Sequence, residues 1–216
     1  MSRTTTRLAP LFAVLLGVLG CGPAWAAGFP EKPLTLVVPF PPGGATDTIA
    51  RVVAKGMGQR LAQTVIVDNK AGAGTTIGAG AVAQAAPDGY TLLISSNTTF
   101  TVNPALKAKL PYDAQKSFES IGLIGTSPLV LLANPSLPAR SVKELVALAK
   151  AQPGKLAYAS FGNGTTSHLA GEMFKLVTGV DMLHVPYKGS SPAMTDLIGG
   201  QVPLTFDTNV AAPRPT

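Results

Sequence analysis

The residues best suited to chemistry lie where an apolar stretch runs into a glycine turn and then a helix, in LTLVVPFPPGGATD at residues 34–47. The first N–H groups of a helix have no partner within the helix, and the helix dipole adds partial positive charge there. A glycine turn leaves these groups uncovered, so the junction suits a carboxylate or a phosphate. The same order recurs at residues 160–166 and 187–192. The recurrence predicts a site for a small anion built by several loops.

Each of these loops also has a purely structural interpretation. Residues 40–47 are compatible with a plain strand-to-helix turn capped by Thr46 or Asp47, and residues 160–168 with a capped loop. The third loop, YKGSSP at residues 187–192, contains an aromatic residue, a lysine and a flexible glycine directly before a helix start. In open α/β sheets ligands bind beyond the carboxyl ends of parallel strands, and all three loops follow predicted strands. Together the loops favour a binding role.

Two other groups of residues resemble parts of cofactor and metal sites. GAGTTIG at residues 72–78 has spacing close to a dinucleotide fingerprint, but no acidic residue ends the next predicted strand, which favours tight helix packing. His168 and Glu172 are four residues apart on a predicted helix, yet His184 has no carboxylate cluster near it. The motifs of common hydrolases, zinc proteases and P-loop proteins are missing from the sequence. The sequence predicts no cofactor, no metal and no catalysis.

The elements that must position these loops alternate between apolar runs and amphipathic stretches, which predicts an α/β fold with mostly parallel sheets. Polar, proline-broken residues 96–111 suggest a boundary, with a first lobe at 27–100 and a second at 101–209. No helix follows the last strand, which predicts an uncovered apolar face there. Predicted strands lie at 34–38, 65–67, 90–95, 121–133, 156–160, 182–185 and 202–207, and predicted helices at 47–61, 71–86, 141–154, 167–177 and from 191.

The N-terminus predicts export. Arg3 and Arg7 precede an uncharged run at 8–20, and Ala24 and Ala26 place small residues at the cleavage positions, so residues 1–26 read as a signal peptide. Cys21 is the single cysteine; it leaves lipid anchoring open as a second route and excludes a disulfide from the mature domain, which fits the bacterial periplasm. The formal charge is +6 without any basic run, which argues against nucleic acid as a partner.

Several long runs resemble the substrate-binding proteins of tripartite tricarboxylate transporters, also called Bug receptors. These are KPLTLVVPFPPGGATDTIARVVA, VDNKAGAGTTIGAGAVAQAAPDGYTLL, LPYD, YASFGNGTTSHLAGEMFK and HVPYKGSSPAMTDLIGGQVPLTFD, and the resemblance spans residues 29–209. It implies a two-lobed, type II-like periplasmic binding fold. It also implies a monomer that closes on a di- or tricarboxylate or similar organic acid, delivers it to membrane transporter subunits and catalyses no reaction. The ligand-binding residues it implies are Phe40, Gly43, Gly44, Asp47, Gly162, Thr165, Thr166, His168, Tyr187, Gly189 and Asp207.

The chain departs from that family at its C-terminus. Members of the family continue past the position of Asn209 and complete the first lobe, whereas this sequence stops at Thr216. The expectation is a truncated receptor with a tail at 210–216 and an incomplete first lobe. Two alternatives stay open: an exported enzyme that uses the Gly72 loop or His168, and a module that senses a ligand and signals to a membrane partner.

Overall fold

Alternating strands and helices build two sheets in residues 28–208, the part of the chain that the computed structural model describes. The predicted signal peptide, Cys21 and the predicted tail lie outside the described residues. The strands are β1 (Leu34–Val38), β2 (Val65–Asn69), β3 (Thr91–Leu93), β4 (Leu129–Ala133), β5 (Ala157–Ser160), β6 (Leu183–Pro186) and β7 (Leu204–Thr208). The helices are α1 (Ala45–Leu61), α2 (Thr76–Ala83), α3 (Asn103–Leu106), α4 (Val142–Ala151), α5 (Thr166–Thr178) and α6 (Ser190–Ile198).

The first sheet has the order β2-β1-β3, and β1 is parallel to both neighbours. Because β1 is central and covered on both faces, it is the continuous apolar run that buried parallel strands require. Leu36 and Val38 pack against Ala50 and Ala54 of α1. The loop that leaves β1 therefore emerges at the middle of the sheet, at its carboxyl edge.

The second sheet has the order β4-β7-β5-β6, in which β4 is antiparallel to β7 and the other pairs are parallel. The expectation of an uncovered last strand is wrong. Leu204 and Phe206 of β7 pack with Leu145 of α4 and Phe174 of α5, while α6 covers the opposite face of the sheet around Ala159. Helices that precede β7 in the chain already cover both faces, so no following helix is needed. The predicted α/β class with mostly parallel sheets is confirmed.

Two helix ends follow the predicted signals. Two predicted helices are shorter than expected, since the one at 71–86 forms only at Thr76–Ala83 and the one at 141–154 ends at Ala151, and one predicted strand does not form in full. Ser141 Oγ accepts a hydrogen bond from Glu144 N at 3.2 Å, and Gly179 closes α5 with φ of 66°. Of the predicted strand at 121–133, only residues 129–133 form a strand, which is β4. These five residues pair with all five residues of β7, and residues 121–128 have no strand beside them among those described. Ile121 and Leu123 are accordingly exposed.

Residues 94–128 connect the two sheets. They include a π-helical turn at Thr98–Val102 that runs directly into α3, in the stretch expected to be irregular. The division into lobes near residue 100 stays a prediction. No helix among residues 28–208 has the length and apolar character needed to cross a membrane.

Candidate anion-binding site

The N-termini of three helices meet around one small cavity of about 60 Å³. Helix α1 contributes Ala45 and Thr46, α5 contributes Thr166, and α6 contributes Ser190. Within residues 28–208 the N–H groups of Ala45 and Thr46 have no acceptor, since Gly44 caps the helix without a side-chain hydrogen bond. The remaining lining residues are Phe40, Pro41, Gly44, Ser96, Phe161 and Thr208.

Asp47 fixes the loop between β1 and α1. Its Oδ2 accepts hydrogen bonds from Gly43 N and Arg51 Nε, both at 2.9 Å, and its Oδ1 accepts one from Asn69 Nδ2 at 3.0 Å. The same amide of Asn69 donates to Phe40 O at 3.0 Å. Burial of Asp47 opposes ionisation, but the bonds from Arg51, Gly43 and Asn69 outweigh it and keep the pKa of Asp47 below its usual value. With both oxygens in use, Asp47 positions the loop.

The loop between β5 and α5 is held by its own polar groups. Gly162 O accepts from both Thr165 N and Thr165 Oγ1, at 3.2 and 2.7 Å. Gly164 N donates to His168 Nδ1 at 3.1 Å, which gives His168 a role inside the loop. Thr166 N donates to Thr98 Oγ1 at 3.3 Å, so the π-helical turn at Thr98–Val102 is joined to the start of α5.

A stacked pair of histidines lies beside this loop. The ring centroids of His168 and His184 are 4.0 Å apart, and His184 Nε2 lies 2.6 Å from Ser160 Oγ. Burial, together with the nearby charge of His168, lowers the pKa of His184 to about 4. Glu172 accepts a hydrogen bond from Tyr158 OH at 2.7 Å and lies 3.9 Å from His168 Nε2. These contacts give His168 and Glu172 partners within the protein.

The loop between β6 and α6 packs directly on the first loop. Gly189 has φ of 150° and ψ of −175°, a conformation that is essentially restricted to glycine, and a Cβ there would overlap the ring of Pro41. Gly44 faces Ser190 less closely, because a Cβ on Gly44 would lie 3.6 Å from Ser190 Cβ, an ordinary van der Waals contact. Gly189 thus allows the loop before α6 to pack closely against the loop before α1.

Asp207 lies behind this contact, fully buried at the end of β7. Its Oδ2 accepts a hydrogen bond from Ser190 Oγ at 2.7 Å, and its Oδ1 accepts one from Thr208 N at 2.6 Å. Burial raises the pKa of Asp207, although these hydrogen bonds act in the opposite direction. Asp207 therefore orients Ser190 at the first turn of α6, as Asp47 orients the first loop.

A wider cavity of about 330 Å³ adjoins the small one and shares Phe40 and Phe161 with it. Lys107 and the loop after β2 form one wall. The glycines of that loop serve packing: Gly74 lies against Asn163 O, and a Cβ on Gly78 would be 2.8 Å from Pro39 Cβ. The lining residues are Pro39, Phe40, Gly72, Ala73, Gly74, Thr75, Lys107, Phe161, Gly162, Asn163, Thr165, Pro186, Tyr187 and Lys188.

The residues proposed from sequence divide into two groups. Those that line a cavity are Phe40, Gly44, Gly162, Thr165, Thr166 and Tyr187, and those that hold or space the loops are Gly43, Asp47, His168, Gly189 and Asp207. Sequence reasoning missed Ser96 and Lys107. Ser96 follows β3, so the rule that ligands bind beyond the carboxyl ends of parallel strands would have found it. Lys107 follows the short helix α3 and had no comparable signal.

Comparison with known proteins gives a consistent result. Residues 49–215 match the family described as "Tripartite tricarboxylate transporter family receptor". The chain is 42% identical over 199 residues to the protein BugT of Bordetella pertussis, and the match covers 91% of this chain and 61% of that protein.

Solved structures of similar proteins include the periplasmic binding protein BugD, at 43% identity and a TM-score of 0.80, covering 84% of this chain and 60% of that one. Rpa4515 of R. palustris, solved with adipate, has 38% identity and a TM-score of 0.83, with coverage of 85% and 62%. MatC from Rhodopseudomonas palustris, with bound malate, has 36% identity and a TM-score of 0.78, with coverage of 83% and 61%. The chain thus spans about three fifths of the length of these relatives.

Proposed function

The chain belongs to the tripartite tricarboxylate transporter receptor family, and on that premise we propose that it is a periplasmic receptor for a small organic acid. One carboxylate of the acid binds in the small cavity, against the N-termini of α1, α5 and α6. The receptor then presents the acid to membrane subunits of a transporter. It acts by binding and catalyses no reaction.

The observation that carries the proposal is the convergence of three helix N-termini on one cavity. Ala45 and Thr46, whose N–H groups have no acceptor within residues 28–208, line this cavity together with Thr166 and Ser190. No lysine, arginine or histidine lines this cavity among the described residues, so the dipoles and N–H groups of the helices supply the attraction for an anion.

Ser96 adds independent support. Ser96 lines the same cavity, and its buried hydroxyl has no hydrogen-bond partner within residues 28–208. Buried polar groups are nearly always satisfied, and an exception requires an explanation such as a ligand or an ordered water. A bound carboxylate oxygen would accept the hydrogen bond that the Ser96 hydroxyl lacks.

Similar proteins supply the class of ligand. Rpa4515 was solved with adipate and MatC with malate, and both compounds are small dicarboxylates. The alternative of an exported enzyme receives no support from the site, because His168 is bonded within its own loop and Gly78 packs against Pro39.

Isothermal titration calorimetry with adipate, malate, succinate, citrate, glutamate and benzoate tests the proposal, with glucose as the uncharged control. We expect saturable binding of at least one acid and none of glucose. A folded sample that binds none of these acids refutes it.

A matched pair of variants links binding to the small cavity. Ser96→Ala removes an unsatisfied hydroxyl, so it should lower the affinity for the acid several-fold while raising the unfolding free energy by about 1 kcal/mol. Ser95→Ala is the control, because the Ser95 hydroxyl already pairs with Thr99 Oγ1 and does not line the cavity. It should lower stability and leave affinity unchanged. Equal affinities for both variants would place the carboxylate elsewhere.

A further inference from the structure

The wider cavity carries positive charge that nothing in the described chain neutralises. Lys107 and Lys188 line it, and none of its lining residues is an aspartate or glutamate. Neither ammonium lies within 4.0 Å of a carboxylate among residues 28–208, where the ion pairs involve other residues. A cavity of about 330 Å³ is at the small end of the range for small-molecule sites, which runs from about 300 to 1,000 Å³.

Lys107 is the more constrained of the two lysines. Its Nζ donates to Ala73 O at 2.6 Å, and a Cβ on Gly74 would lie 3.4 Å from that nitrogen. An ammonium has three N–H groups, and one is used by Ala73. Burial lowers the pKa of Lys107, which means that its charge is partly desolvated. Lys188 is exposed and has no hydrogen bond within the described residues, so nothing holds its ammonium in one position for binding a ligand.

We propose that Lys107 is the specificity-determining residue of this site and selects an acid with a second negatively charged group. The inference rests on the proposed function, which places the first carboxylate in the small cavity. Phe40 and Phe161 line both cavities, and the proposal has an extended ligand run past these two residues from the helix N-termini to Lys107. The carbonyl of Ala73 holds the ammonium in position, and its remaining N–H groups donate to the distal carboxylate.

The size of the effect follows from the chemistry of the contact. Hydrogen bonds between charged partners are stronger than neutral ones, and the loss of such a bond weakens binding by about ten- to a hundredfold. Selection against the matched monoacid should be of the same size, because a monoacid leaves the Lys107 ammonium unpaired in a partly desolvated position. The charge of Lys188 is solvated and should contribute at most about threefold.

The test uses the full chain, with calorimetric titration of adipate and of hexanoate, its monoacid of equal length. The wild type should bind adipate at least tenfold more tightly than hexanoate. Lys107→Met keeps the apolar stem. It should lower the affinity for adipate by ten- to a hundredfold and change the affinity for hexanoate by no more than about threefold. Lys107→Gln keeps a donor for Ala73 O and should behave in the same way. Lys188→Met is the matched control from the same cavity, with little change expected for either acid.

The outcomes separate this inference from the proposed function. If the wild type binds adipate and hexanoate equally, or the Lys107 variants lose both acids in parallel, Lys107 does not select and the inference is overturned while a carboxylate receptor stands. If the folded wild type binds neither these two acids nor any other member of the panel, the proposed function fails and this inference fails with it. The comparison of the two acids on the wild type needs no variant, so it tests the predicted selection for a second carboxylate even where a substitution impairs folding.

Discussion

Replacing Gly189 with alanine should separate the two loops that form the small cavity. Gly189 has φ of 150° and ψ of −175°, and a Cβ there would overlap the ring of Pro41. The backbone strain costs about 1–3 kcal/mol, and the steric overlap costs a further 1–3 kcal/mol or so. The chain relieves the overlap by moving Pro41 away from Gly189, which also moves the N-terminus of α1 away from α6.

Gly179→Ala is the matched control for this variant. Gly179 closes α5 with φ of 66°, and a Cβ there would meet no atom within 4 Å. The left-handed conformation alone costs alanine about 1–2 kcal/mol. Both variants therefore carry backbone strain, but only Gly189→Ala places a new atom between the loops.

Urea denaturation measures the stability of the two variants, and calorimetry measures their affinity for the acid that binds most tightly to the wild type. We expect Gly189→Ala to lose about 2–6 kcal/mol of unfolding free energy and at least tenfold in affinity. Gly179→Ala should lose about 1–2 kcal/mol and bind as the wild type does. If Gly189→Ala binds within twofold of the wild type, or if Gly179→Ala loses as much affinity, the contact between the loops does not shape the site.

Two further variants test the polar groups that hold the loops. Asp47→Asn should lower the unfolding free energy by about 2–3 kcal/mol at pH 7. Because the pKa of Asp47 is held below its usual value, the difference in stability between wild type and variant should shrink as the pH falls below about 4. A difference that urea denaturation finds unchanged between pH 7 and pH 3 would contradict this. His184 has a pKa of about 4 in the folded chain, so the unfolded chain binds the extra proton between pH 6.5 and 4 and stability should fall as the pH drops through that window. His184→Phe keeps the stacked ring and should flatten the dependence, whereas an equally steep decline in this variant would assign it to other groups.

The sequence predicted the loops well because their chemistry is local. Glycine turns and helix starts at 39–44, 162–165 and 187–190 are encoded by neighbouring residues, and the structure brings these three segments together. Capping at Ser141 and closure at Gly179 were predictable for the same reason. The exposed stretch at 121–128 was not, since its apolar composition suits a strand that finds no neighbour among the described residues.

The roles of individual side chains depended on partners far away in the chain. Asp47 is bonded to Asn69 and Asp207 to Ser190, and both aspartates consequently face the protein. The wall formed by Lys107 depends on a contact with Ala73, 34 positions earlier, that no local pattern encodes. Which polar residues line the cavity and which support it is therefore a property of the packed fold.

The most direct measurement is amide NMR of the ¹⁵N-labelled chain, titrated with the acid that binds most tightly. We expect the largest shifts at Ala45 and Thr46, with their amide protons moving downfield as hydrogen bonds form, and weaker changes at the starts of α5 and α6. Large shifts confined to other regions, with Ala45 and Thr46 unmoved at saturation, would contradict the claim that helix N-termini hold the carboxylate.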